Sequence, residues 1–220
     1  IVVDVNLNSE EGKEWVSIEV SPHPYPISYK GQYHYRSGST KQELRGAALN
    51  NFLLQKQGKR WDGVPAPHVS VDDLSSSAFD YFRKQAAQTR RLDEAVLRES
   101  NLALLQKLRL MDGDYLKRAA LLLFHPDPEQ FFTGAYVKIG FFRTPSDLRF
   151  QDVISGFLFE QVEKTMDLLM SKYLEAQIRY EGISRIEEFA FPEAALREAL
   201  LNAIAHKDYG SEKHIQIRVY

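Results

Sequence analysis

Cysteine is absent from the chain of 220 residues. Its absence excludes a disulfide framework, a zinc site with thiolate ligands and a thiol nucleophile. The six histidines are scattered along the chain without the spacing of metal ligands, so we expect no zinc site. No residue pattern indicates a haem or a flavin, and we expect neither cofactor.

Long apolar runs and several familiar catalytic motifs are missing as well. The longest apolar run, 119–124, is far too short to cross a bilayer, and no stretch resembles a signal peptide. We therefore expect a cytoplasmic protein with no membrane partner. The sequence contains no G-x-S-x-G, no G-x-x-x-x-G-K-S/T and no H-E-x-x-H pattern, so the usual hydrolase and P-loop interpretations have no support.

The charge of the chain is unevenly distributed. The formal net charge is −2, but the segment 30–60 holds seven basic residues and a single acid, Glu43. That segment therefore carries +6, and the remainder of the chain carries −8. A local basic surface of this kind suits a polyanionic partner, although the chain as a whole is slightly acidic. The basic residues are Lys30, Arg36, Lys41, Arg45, Lys56, Lys59 and Arg60.

Aromatic residues interleave with these cations, a mixture that favours phosphate contacts combined with base stacking. Within the same segment, "YRSGST" predicts a glycine loop that leads into a helix, with Thr40 and Glu43 as its capping box and an end near Gln57. Free N–H groups at such a helix end attract a phosphate or carboxylate. The alternative stays open: the capping box satisfies the helix end internally and leaves no anion site.

A second candidate site lies in "REALLNAIAHKDYG", 197–210. Glu198, Asn202 and His206 follow one another at intervals of four residues, so a helix places them on one stripe. A glutamate can activate a water molecule, and an asparagine oxygen can bind Mg²⁺. The alternative is structural: Glu198 pairs with a neighbouring arginine, Asn202 bonds a backbone carbonyl, and His206 with Asp208 ends the helix.

The element pattern predicts an α+β protein. Both ends of the chain are strand-like, and we expect it to be a piece of something longer. Periodicity predicts a long amphipathic helix over 153–174, and Phe191-Pro192 predicts the start of the helix that carries Glu198. A connection rich in glycine and proline after Gly58 predicts a domain boundary.

Several segments together resemble the bacterial transcriptional regulators of the RecG-like ATP-dependent helicase, or divergent AAA-ATPase, family. They are "YHYRSGST", "LLLFHPDPEQFF", "FPEAALREALLNAIAHKDYG" and "IQIRVY". Members of this family carry a Schlafen-like AlbA domain and a GHKL-type C-terminal region. The resemblance implies the C-terminal part of the AlbA domain in 1–60, a helical connecting region in 61–134, and the N-terminal part of a GHKL-like domain in 135–220.

This resemblance implies a DNA-binding transcriptional regulator. Arg36, Gly38 and Ser39 match the R-x-G-S segment of the family. We expect the basic segment to contact DNA phosphate and the helix end to bind an anion. The residues expected to do so are Arg36, Lys41 and Arg45 for the phosphate, and Ser39 and Thr40 for the helix-end anion.

Two alternatives belong to other classes. Glu198, Asn202 and Ala203 match the N-box of GHKL ATPases, which implies an ATPase with Glu198 as catalytic residue and Asn202 as Mg²⁺ ligand and ATP-binding residue. His206, on the same stripe, would lie near the mouth of that site and is the other residue expected to bind ATP. The second alternative is an inactive dimerisation core. In it the chain forms a homodimer, and the helix 153–174 supplies the partner face. We expect no nuclease activity, because the front half of the AlbA domain is absent, and no helicase activity, because no motor motif is present.

Overall fold

The computed structural model describes residues 3–21, 23–89, 92–174, 176–181 and 184–220, with the backbone alone for 176–181 and 184–188. The chain forms two compact units, Ile1–Arg60 and Trp61–Tyr220. Each unit contains both helix and strand, so the predicted α+β class is confirmed at this level. None of the helices within the described ranges is both long and apolar enough to cross a bilayer.

The first unit opens with an antiparallel hairpin of β1 (Val3–Glu10) and β2 (Lys13–Val20). Its two turn residues, Glu11 and Gly12, have φ values of 50° and 77°. Positive φ at both positions suits the right-handed twist of a two-residue hairpin, and glycine accepts it without steric cost. The register places three aliphatic pairs on one face, as the alternation predicts: Val3 with Val20, Val5 with Ile18, and Leu7 with Val16.

A second hairpin carries part of the basic segment. It pairs β3 (His34–Ser37) with β4 (Thr40–Glu43), and Gly38 (φ 60°) and Ser39 form its turn. The helix α1 (Gly46–Lys56) follows and ends close to the predicted position.

The capping box predicted at Thr40 and Glu43 is wrong. Both residues belong to β4, where their backbone groups take part in the ladder with β3, so they are not free to begin a helix. The helix starts later, with Arg45 at its N-cap position and no side-chain capping bond. The T-x-x-E pattern is a local signal, and here cross-strand pairing across a two-residue turn overrides it.

The second unit holds six helices within its described residues. They are α2 (Ser76–Thr89), α3 (Glu94–Leu97), α4 (Asn101–Lys107), α5 (Arg118–Phe124), α6 (Leu158–Leu168) and α7 (Glu193–Ala205). Of these, α6 packs on the strands Val137–Thr144 and Asp147–Ile154 of the main sheet and contacts α2, α5 and α7.

The strands of the second unit form three small sheets. The first sheet is ordered β5-β7-β6 and contains β5 (Pro65–Ala66), β6 (Met111–Asp112) and β7 (Tyr115–Lys117). The second sheet is the pair of β10 (Ala176–Glu181) and β11 (Ser184–Phe189). The third sheet is ordered β12-β8-β9 and contains β8 (Val137–Thr144), β9 (Asp147–Ile154) and β12 (Ile215–Val219). In the third sheet β8 is antiparallel to β9 and parallel to β12.

All of the buried residues found in the described part of the chain lie in the second unit. Phe79 and Phe124 are stacked at its centre, with ring centroids 4.4 Å apart and an interplanar angle of 16°. The core cluster is continuous and includes Leu105 and Phe124 as well as Val137 and Val162. The predicted division between 61–134 and 135–220 is therefore not a boundary between compact units.

The helix predicted over 153–174 begins later than expected. Val153 lies in β9, the α-helix starts at Leu158, and its last turn, Leu169–Tyr173, is π-helical. The apolar face of this segment packs into the core of its own unit, and its members Leu158, Val162, Met166, Leu169 and Tyr173 are all buried. That apolar face is therefore not free for a partner, and dimerisation through this helix stays a prediction.

Candidate functional site

The predicted phosphate-binding cations lie on the β3–β4 hairpin, and they are not equivalent. Arg36 and Lys41 are direct register partners across the two strands, and both are exposed. Within the described ranges, no carboxylate forms an ion pair with either of them. Two like charges directly opposite each other in a hairpin are destabilising unless an anion lies between or above them.

An exposed aromatic ring lies beside these cations. The ammonium groups of Lys30 and Lys41 are 5.5 Å and 5.1 Å from the centroid of the Tyr29 ring. Tyr29 is 61% exposed, so part of its ring surface remains open to solvent. A cationic surface with an accessible ring has the components of a site that contacts a phosphate and stacks a base.

Arg45 differs from the other two predicted cations because it already has an anionic partner. Its guanidinium bonds the carboxylate of Glu43 and holds the pKa of that carboxyl below its usual value. Much of its charge is offset within the unit. The predicted helix-end anion site at Ser39 and Thr40 is also wrong in its geometry, since these residues lie at a hairpin turn and not at a helix N-terminus.

The second candidate site lies on α7, which begins directly after Pro192 as predicted. Leu200 and Ile204 are the buried residues of this helix, while Glu198 and Asn202 are exposed. The side-chain amide of Asn202 donates to the carboxylate of Glu198, Nδ2 to Oε1, at 3.0 Å. The predicted juxtaposition of these two groups on one stripe is confirmed. Among the described residues, neither an arginine partner for Glu198 nor a backbone carbonyl partner for the Asn202 side chain is found.

His206 does not continue the stripe as a helical residue. It is the C-cap of α7, with φ −99° and ψ 0°, and its backbone N–H donates to the carbonyl of Asn202 at 3.0 Å. Asp208 accepts from the N–H of Gly210 at 2.9 Å and shapes the turn that follows. The helix therefore ends here as the structural alternative predicts.

The described residues contain no cluster of three or more histidine or acidic side chains that could hold a metal ion. Glu198 and Asn202 offer two oxygen-bearing side chains. Mg²⁺ commonly binds proteins through one or two such groups and takes its other ligands from water and phosphate oxygens. The pair is compatible with a nucleotide-bound cation but does not form a self-sufficient metal site.

A cluster that the sequence does not predict lies just beyond α7. The Nζ atom of Lys207 is buried, has no hydrogen-bond partner in the part of the chain that the structure describes, and lies 4.0 Å from the centroid of the Tyr209 ring. Burial lowers the pKa of this ammonium group. Tyr209 stacks on Trp61 at 6.2 Å, and the guanidinium of Arg118 lies 4.8 Å from the Trp61 ring. The sequence does not predict this cluster because Trp61 and Arg118 are far from Lys207 along the chain.

An ion pair fixes the orientation of α7 in the second unit. Arg197 donates two hydrogen bonds to the Glu163 carboxylate of α6, at 2.8 Å and 3.2 Å, and Tyr81 of α2 donates a third at 2.7 Å. The Arg197 bonds hold the pKa of Glu163 below its usual value. Burial, with the Glu163 carboxylate, raises the pKa of Tyr81 to about 12. These bonds connect three helices and hold the exposed stripe of α7 away from the core.

These elements define a mixed α+β protein with a parallel strand pair in its main sheet. No protein-family model and no curated protein matches the sequence. A solved structure with a similar fold is that of the DIP2311 protein from Corynebacterium diphtheriae, at a TM-score of 0.55 and 20% identity. The match covers 99% of this chain and 42% of that one, so this chain spans less than half the length of the DIP2311 protein. At this identity the likeness shows the fold alone.

Proposed function

We propose that this chain belongs to a DNA-binding transcriptional regulator and contacts DNA phosphate through the β3–β4 hairpin. The observation that carries the proposal is the exposed pair of Arg36 and Lys41, opposite each other and without a carboxylate partner in the described ranges. The resemblance to RecG-like bacterial regulators with a Schlafen-like AlbA domain supports it, with 1–60 as the C-terminal part of that domain. The same resemblance suggests a GHKL-like origin for 135–220.

The electrostatics of the hairpin favour a polyanion. A phosphate placed over Arg36 and Lys41 would relieve the repulsion between their charges and would release counterions from the nucleic acid. The open ring of Tyr29 lies beside Lys41 and adds a stacking surface for a base. Arg45 contributes less, because its ion pair with Glu43 must weaken before it can contact a phosphate.

We expect the double variant R36A/K41A to bind a labelled DNA duplex more weakly than the wild-type chain. Affinity should also become less sensitive to salt, because two phosphate contacts are removed. The slope of log affinity against log salt should be shallower by about 2. Fluorescence anisotropy titrations between about 50 mM and about 200 mM salt measure both quantities.

Two control variants make this test specific to the hairpin. K84A/R149A removes two exposed cations of the second unit and leaves the charge of the first unit unchanged. R45A removes a cation of the first unit that is already ion-paired. K84A/R149A should retain a slope close to that of the wild type, and R45A should reduce the slope less than R36A/K41A does. An equal loss in K84A/R149A, or no DNA binding by the wild type at low salt, would refute the proposal.

A second function, ATP binding on α7, is favoured by the direct contact between Glu198 and Asn202. The N-box resemblance assigns Glu198 to water activation and Asn202 to Mg²⁺. The two side chains are adjacent and exposed, so a nucleotide could reach them. His206 was expected to bind ATP from its place on the stripe, and its position at the C-cap weakens that argument.

Mg²⁺-ATP should raise the melting temperature of the chain if this second function holds, since a ligand that binds only the folded state stabilises it. N202A should abolish the shift, because it removes the amide that contacts Glu198. N50A removes an exposed asparagine from α1 and should leave the shift intact. Differential scanning fluorimetry with and without Mg²⁺-ATP measures the shift in melting temperature. A full shift in N202A would exclude ATP binding at Glu198 and Asn202.

A further inference from the structure

The exposed ring of Tyr29 is carried by an ordered backbone. The N–H of Tyr29 donates to the carbonyl of Gln32 at 2.8 Å, and the N–H of Gln32 donates back to the carbonyl of Tyr29 at 3.1 Å. The two residues between them, Lys30 and Gly31, have φ values of 53° and 78°. Positive φ at both central positions is typical of a type I′ turn between paired residues. Because this backbone is ordered before a ligand arrives, the entropic cost of binding to the ring is lowered.

Two ammonium groups lie close to this ring without covering it. Those of Lys30 and Lys41 are 5.5 Å and 5.1 Å from the ring centroid, and Tyr29 remains 61% exposed. Within the described ranges, neither lysine forms an ion pair with a carboxylate. A base and its phosphate are joined through a single sugar, so a site that binds both needs a ring and a free cation close together. Tyr29 and Lys41 meet that requirement.

A second exposed tyrosine of the hairpin lies on its other face. Tyr35 precedes Arg36 in β3, and successive side chains of a strand point to opposite faces. The hydroxyl group of Tyr35 donates to Gln42, its register partner. Arg36 and Lys41 are register partners as well, so they share the face that Tyr35 does not occupy. Tyr29, which contacts Lys41, is therefore the ring that accompanies the predicted phosphate-binding cations.

An exposed ring beside phosphate-binding cations distinguishes single-stranded from duplex DNA. The inner bases of a duplex are already stacked and paired, and taking one of them out of the stack costs free energy. Every base of a single strand offers a face on which an aromatic side chain can stack. Phosphate contacts alone favour the duplex, because each contact releases more counterions from a duplex than from a single strand. Tighter binding to a single strand is therefore a signature of stacking.

We propose that Tyr29, Arg36 and Lys41 form a surface that binds single-stranded DNA in preference to duplex DNA. An unpaired base stacks on the ring of Tyr29, and the adjoining phosphates contact Arg36 and Lys41. This inference rests on the proposed function, because it uses the same two cations, and it adds the class of DNA that is bound. Stacking tolerates any base, so this contact directs the chain to opened DNA without selecting a sequence.

Fluorescence anisotropy with three labelled probes of equal length tests the preference. The probes are an oligothymidine strand, a duplex, and a strand of abasic sites that keeps the phosphates and lacks the bases. The wild-type chain should bind oligothymidine more tightly than the other two. Y29A should weaken oligothymidine binding by about 5-fold or more and leave the duplex and abasic affinities nearly unchanged. Its slope of log affinity against log salt should stay that of the wild type, because no phosphate contact is lost.

Two control variants make this test specific to the ring of Tyr29. Y29F keeps the ring and should bind oligothymidine as the wild type does. Y35T removes an exposed ring from the opposite face of the same hairpin. Threonine suits a strand, so Y35T should retain the hairpin and the affinity of the wild type. Tyr29 is exposed, so Y29A should also retain the fold of the unit.

The outcomes separate this inference from the proposed function. Tighter binding to the duplex, equal binding to oligothymidine and the abasic strand, or an equal loss in Y35T and Y29A would each overturn the single-strand preference. In any of these cases, weaker duplex binding by R36A/K41A would leave the proposed function standing. No binding to any of the three probes at low salt would refute both.

Discussion

Replacing Phe79 with alanine is expected to lower the free energy of unfolding by about 3–5 kcal/mol. Phe79 is fully buried, and its ring is stacked on Phe124 at 4.4 Å in the core of the second unit. Truncation removes buried apolar area and the ring contact, and it leaves a cavity that neighbouring helices can only partly close. Urea unfolding followed by circular dichroism measures the loss.

Phe131 is the matched control for this substitution. It is 42% exposed and contacts His125 and Phe132 near the surface. F131A deletes the same atoms as F79A but should cost clearly less, since 42% of Phe131 is already exposed to solvent and its removal leaves no enclosed cavity. Similar losses in the two variants would contradict the placement of Phe79 at the centre of the core.

Gln161→Leu is the second substitution with a large expected effect, about 2–4 kcal/mol of unfolding free energy. Gln161 is 1% exposed, and its Nε2 donates to the carbonyls of Ala135 and Gly156, each at 2.7 Å. Leucine fills a similar volume but leaves both carbonyls without this donor. Because the carbonyls lie on different segments, the side chain joins the entry to β8 with the start of α6.

Gln130→Leu separates the loss of these bonds from the change of residue type. Gln130 is exposed, and its side chain donates to Asp127 at 3.1 Å, its single side-chain bond within the described ranges. Its replacement should change stability by about 0.5 kcal/mol or less. Hydrogen exchange adds a local measurement: amides near the start of α6 should exchange faster in the Gln161 variant. Unchanged exchange there would show that the two carbonyls find other donors.

The elements that follow from short-range patterns could be predicted from the sequence. The alternation of apolar and polar residues in 3–20 predicts two strands, which the structure pairs as the β1–β2 hairpin, and the proline at 192 predicts the start of α7. The contact between Glu198 and Asn202 follows as well, since a spacing of four residues on any helix makes them neighbours. Each of these predictions depends on residues that are close together in the chain.

The predictions that failed have a common physical cause, which is competition between a local signal and a partner from elsewhere. Thr40 and Glu43 form an acceptable capping box, but pairing with β3 places them in a strand. Val153 has the right period to begin a helix, but pairing with β8 keeps it in β9. In both cases a strand partner satisfies the backbone groups, and the local pattern does not indicate which outcome has the lower free energy.

The sequence by itself determined the absence of thiol chemistry, the basic surplus of 30–60, the α+β class and the adjacency of Glu198 and Asn202. The tertiary structure alone decided that Arg36 and Lys41 face each other, that Arg45 is paired, that the amine of Lys207 is buried, and that the rings of Phe141 and Phe150 stack in the wall of a cavity. Composition and periodicity are properties of neighbouring residues. Pairing, desolvation and cavity shape depend on groups that only folding brings together.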